Sequence, residues 1–135
     1  MRDDGPMATF DIDGAAVHDI ASFYDEINRV FMTGEDWRLG PSLDALNDLL
    51  HGGIGTLRGH DEVRIVWHDH EAGRRALGRE ATIDYYREKL RHPEIFSADR
   101  FRPLLDELEA GDGATYFDIV LEVFADHPEI ELVLA

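Results

Sequence analysis

The chain has 135 residues, enough for one domain with a real core, and its 44% apolar and 31% charged content excludes a wholly disordered chain. Twenty-nine acids against 13 Lys and Arg leave a net charge of −16, which repels nucleic-acid phosphates and anionic membranes and attracts cationic partners. With no cysteine, disulfides, thiol catalysis and zinc–thiolate sites are excluded.

Residues 1–6 read as a disordered terminus. No apolar stretch of secretory-signal type follows them, and no apolar run approaches the roughly 20 residues of a membrane helix. The expectation is a cytoplasmic protein with no membrane contact. Met7-Ala8-Thr9-Phe10-Asp11-Ile12 alternates and is rich in strand formers, and Asp13-Gly14 turns it. From about Ala16 to Val30 the period becomes helical, with Val17, Ile20, Phe23, Tyr24 and Ile27 on one stripe. The segment from Thr33 to Pro41, with Gly34 and Gly40, breaks that helix.

Ser42 is a good N-cap for a short helix whose buried side is Leu43, Leu46, Leu49 and Leu50. Gly52-Gly53 stops it. Glu62 to His68 predicts a second strand, with Val63, Ile65, Val66 and Trp67 suggesting burial on most sides. Helical patterns follow over 69–77, Glu80 to Arg91, Ala98 to Ala110 and Ala114 to Ala125. A last alternating strand runs from Glu129 to Leu134. Strands separated by helices imply an α/β fold, a small three-stranded, mainly parallel sheet covered by helices.

The acids are unevenly placed. Nine lie between Pro103 and Ala135, where there is no Lys or Arg. Asp44 and Asp48 are four apart on the short helix, and Asp118, Glu122 and Asp126 are spaced likewise on the last one. Like charges at this spacing cost helix stability, and a partner rich in Lys or Arg converts that cost into affinity. A plain solvated face explains the same spacing. His68-Asp69-His70, with His51 and His60, raises metal-dependent hydrolysis as another reading, although alternate strand residues point to opposite faces. Asp44 and Asp48 as a glycosidase pair is a further one, without a sugar-stacking cleft to support it. Trp67 reads as core; Trp37, in a glycine-bearing loop, reads as exposed.

Ile12-Asp13-Gly14, then Leu43-Asp44-Ala45-Leu46-Asn47-Asp48, then Asp118-Ile119-Val120-Leu121-Glu122-Val123-Phe124, in that order, resemble the barstar family of intracellular inhibitors of barnase-like ribonucleases. The resemblance covers residues 7–68 and 114–135. It implies one barstar-like domain over 7–135, with 78–113 as a helical insertion, and no catalysis or cofactor. It also implies that the second helix and the loop before it plug a nuclease active site. Asp48 aligns with the aspartate that takes the place of the substrate phosphate, Asp44 with its companion, and Asp126 with a further acidic contact. Trp37, Arg38, Leu39, Gly40 and Asn47 complete the expected partner-binding set. The chain departs from the family pattern where Arg38 and Leu39 occupy a position of loop aromatics, and where Asn47 replaces an aromatic between the helix aspartates. The expected partner is a basic extracellular-type ribonuclease or related toxin in a bacterial immunity pair, with a different basic protein as the alternative.

Overall fold

A computed structural model describes residues 7–135; the expected disordered terminus, residues 1–6, lies outside them. Three strands, β1 (Ala8–Asp13), β2 (Val63–His68) and β3 (Ile130–Leu134), form one parallel sheet in the order β1-β2-β3. Six helices join them: α1 (Ile20–Phe31), α2 (Leu43–Asp48), α3 (His70–Ala76), α4 (Arg79–Leu90), α5 (Ala98–Glu109) and α6 (Tyr116–Ala125). The expected α/β class with a three-stranded parallel sheet is what the chain adopts.

Local chemistry sets the boundaries. The first helix starts later than its periodicity suggests, because Asp19 and Ser22 form a reciprocal cap: Asp19 Oδ1 accepts from the Ser22 N–H at 2.8 Å and Ser22 Oγ from the Asp19 N–H at 3.0 Å. The residues before it, Gly14–Ala16, form a 3₁₀ turn under the Asp13 side chain. Ser42 caps α2 as expected, its Oγ accepting from the Ala45 N–H at 3.1 Å. A wider turn, Leu49–Gly53, then ends the helix, with Gly52 at φ 93°.

Strand order decides which side of the sheet is covered. Both crossovers step the same way across the sheet, from β1 to β2 to β3, and parallel crossovers of one hand put their helices on one face. Burial follows that geometry. Ile12, Val63, Ile65 and Trp67 are buried, whereas Thr9, Asp11, Arg64, His68 and Glu131 on the opposite side are exposed. The second strand therefore alternates instead of being buried on most sides. On its bare face the strands are laced by Asp11–His68 at 2.8 Å and Arg64–Glu131 at 2.9 Å.

The main core lies between the covered face and α1, α2 and α6. It contains Phe23, Ile27 and Phe31, Leu46, Leu49 and Leu50, Phe117, Val120 and Phe124, and Trp67. A separate apolar cluster, Ile83, Tyr86, Phe101, Leu105 and Leu108, joins α4 to α5. The two regions are sewn together at the start of α6, where the Phe117 N–H donates to Leu77 O at 3.0 Å and the Tyr116 N–H to Thr82 Oγ1 at 2.7 Å.

Candidate functional site

The second helix and the turn that ends it bury Leu46 and Leu49 completely, which turns Asp44 and Asp48 outward. Burial of two leucines contributes roughly 1.5–3 kcal/mol each, against a few tenths for the repulsion between the two exposed acids. Core packing thus holds the acids on the surface in spite of their mutual repulsion. Asp126 directly follows α6 and is exposed. Between them lies a polar bond. His127 Nε2 lies 2.8 Å from Asn47 Oδ1, a hydrogen bond in which the amide oxygen can only accept and the ring N–H donates. Asp48 and Asp126 are each the chain neighbour of one end of that bond.

The loop entering α2 is held from below. Asn28 is buried on α1; its Oδ1 accepts from the Leu39 N–H at 2.7 Å, and its Nδ2 donates to Leu39 O at 3.2 Å and Tyr24 O at 2.9 Å. The amide satisfies the loop backbone as a strand partner does, so Leu39 turns its side chain into the core, where it is 6% exposed. Arg38 points outward and meets Asp25 of α1 at 2.9 Å. Its charge is thereby answered within the chain. Trp37 is 46% exposed, and Gly40 lies on the surface with open space where a Cβ would stand.

The sequence-derived set therefore divides. Asp44, Asp48, Asp126, Trp37, Arg38 and Gly40 are on the surface; Leu39 is core; Asn47 is half-buried and bonded to His127. Of the three acids spaced along the last helix, Glu122 and Asp126 are exposed and Asp118 is half-buried. Asp118 is a cap, its Oδ2 accepting from the Thr115 N–H at 3.0 Å while Thr115 Oγ1 accepts from its own N–H at 3.2 Å. His127 and Asn28 escape a sequence reading, because each acts on a residue distant in the chain and no local pattern marks either.

Beside Asp44 a cavity of about 550 Å³ opens between α2, α4 and α5, with Tyr85, Phe96 and Phe101 in its wall. Lys89 sits in it with its Nζ 4.0 Å from the Phe96 ring centre and 4.9 Å from that of Tyr85. Burial, and then the nearby Arg100 charge, hold this ammonium below the usual lysine range, against an opposite pull from Asp44.

The two histidines beside Asp69 take separate partners. His68 Nε2 meets Asp11, while His70 pairs with Ala135 O and Glu71. Among the described residues no group of three or more His, Asp or Glu gathers as metal ligands. No helix among them is long and apolar enough to cross a membrane.

Fold and surface define a parallel α/β domain that presents carboxylates from a capped helix and from the end of its last helix. The chain belongs to the barstar family: the family model described as Barstar (barnase inhibitor) matches residues 7–105. That description names an inhibitor, not a catalyst. No curated protein matches the chain closely.

Proposed function

We propose that this protein binds a basic, barnase-like ribonuclease and occludes its active site with α2 and the loop before it, without catalysis of its own. The observation that carries the reading is the exposure of Asp44 and Asp48 on a helix anchored by its opposite side, in a member of the barstar family, with exposed Asp126 next in sequence to the His127 that bonds Asn47 of that helix. A ribonuclease active site is cationic because it binds phosphodiesters. Carboxylates held rigidly against it replace the substrate's charge, and the net −16 of the chain speeds the encounter. Asp48 takes the central role, Asp44 and Asp126 flank it, and Trp37 with the backbone at Gly40 supplies the neighbouring contact. Leu39 contributes by fixing the loop from inside. The setting is a bacterial cytoplasm, where such an inhibitor protects the cell that makes the nuclease. Residues 7–135 act as one domain, to which 78–113 add a helical unit; the separate apolar cluster of α4 and α5 supports this division.

The test uses barnase as the probe. The wild-type chain is expected to suppress RNA hydrolysis by barnase. Asp48→Ala is expected to weaken binding by roughly 3–5 kcal/mol, the general cost of stranding a buried partner charge. Unchanged affinity in calorimetry removes Asp48 from the centre of the interface. A second reading keeps the fold and changes the partner to another basic protein. Asn47 favours it, since this position is bonded inward to His127 instead of offering an aromatic face. Binding to a neighbouring toxin product, with no protection against barnase, selects that reading.

A further inference from the structure

We propose that Asn47 and His127 form a positioning lock that holds Asp48 and Asp126 as one preorganised acidic pair; this rests on the partner-binding reading above. The two acids come from segments nearly eighty residues apart in sequence and carry like charge, so nothing in their own chemistry keeps them together. The core beneath them is apolar: α2 and its terminal turn bring Leu46 and Leu49 to it, and α6 brings Val120 and Phe124. Apolar packing is non-directional and sets a distance more firmly than an orientation. Among the described residues the 2.8 Å bond from His127 Nε2–H to Asn47 Oδ1 is the one hydrogen bond from α2 and its terminal turn to α6 and the turn that follows.

His127 is suited to this task because it is itself immobilised. Its side chain is 4% exposed, and its Nδ1 lies 3.6 Å from Glu129 Oε1. The His51 ring packs edge-on against it, centroids 4.9 Å apart. Its backbone N–H donates to Phe124 O at 3.1 Å, and its carbonyl accepts from the Ile130 N–H at 3.0 Å. Asp126, one residue earlier, inherits that placement. Asp48, one residue after Asn47, inherits the other half. Carboxylates already ordered in the free protein avoid the ordering cost at binding.

The experiment compares full-length wild type with His127→Leu, His127→Gln and Asn47→Leu, using barnase as probe and a double-mutant cycle between Asp48→Asn and Asp126→Asn. His127→Leu is expected to weaken binding about tenfold, with a cooperative melt retained and the coupling between the two aspartates lost. Gln, which also offers an N–H to Asn47 Oδ1, is expected to restore both. Loss of affinity with the coupling intact, or no rescue by Gln, overturns the lock and leaves His127 a packing residue. Residual dipolar couplings on the free proteins give a readout that needs no partner. The expectation is that α2 and the Asp126 turn orient as one body in wild type and as two in His127→Leu. Identical orientation in both overturns the proposal. If barnase is not bound at all but the dipolar couplings separate as stated, the functional reading fails and the lock stands.

Discussion

Gly14 shows how a motif residue acquires its meaning from a neighbour it cannot see in sequence. A Cβ there stands 2.2 Å from His68 O and 2.5 Å from Asp69 O, inside the backbone of the strand end that crosses it. Gly73 meets the same limit against a side chain. Its helix lies on the indole of Trp67, and a Cβ falls 2.8 Å from the ring. Trp67 is fully buried, stacks on Phe23 at 5.6 Å, and is held from a third direction by Phe117 at 5.3 Å. The ring therefore has nowhere to retreat. Gly73→Ala is expected to cost about 1–3 kcal/mol by overpacking, read as a lowered thermal midpoint and an altered near-ultraviolet signal from Trp67. A midpoint equal to wild type shows that α3 slides freely over the indole.

At the scale of elements, β1 and α1 are joined by a buried carboxylate. Glu26 is 4% exposed; its Oε2 accepts from the Asp13 N–H at 2.7 Å, and Arg29 donates to both its oxygens at 2.7 and 2.6 Å. Burial pushes this carboxyl up most strongly of the single influences. Together, the Arg29 hydrogen bonds, the Asp13 N–H and the Arg29 charge outweigh it, and the group ends below the usual glutamate range. A depressed folded value means that the linked stability is present above the unfolded pKa and is lost as pH falls through the folded one. Glu26→Gln should therefore be less stable than wild type near neutrality and lose less on acidification. Denaturant unfolding between about pH 3 and 7 reads this, and parallel curves for the two proteins contradict it. The same economy governs α2, where two fully buried leucines hold two repelling aspartates in place.

For the whole molecule the decisive quantities are charge and sheet topology. Among the described residues, the order β1-β2-β3 leaves one face of the sheet without helices and gathers them, and with them the candidate contact residues, on the other side. A net charge of −16 on so small a chain makes its encounter with a cationic protein a long-range event. Raising the salt from about 0.01 M to 0.5 M shortens the screening length from roughly 30 Å to a few ångströms. The association rate with barnase is expected to fall at least about tenfold over that range, with dissociation changing less. Stopped-flow fluorescence measures both; a salt-independent association rate means that the acids do not steer the partner.

The periodicities along the chain were enough to place all three strands and all six helices, because amphipathic patterns and caps act between residues a few positions apart. Charge, the exposure of Asp44 and Asp48, and membership of the barstar family, whose match spans residues 7–105, were legible as well. The tertiary structure alone decided what depends on contacts far apart in sequence. Leu39 faces inward because the Asn28 amide, eleven residues earlier, grips its backbone. Arg38 is answered by Asp25, and Asn47 is bonded to a histidine 80 residues away. The second strand carries a polar face because strand order sends both crossovers to one side. A run of residues encodes which face of its own helix or strand is apolar; which partner that face meets is settled when the strands pair.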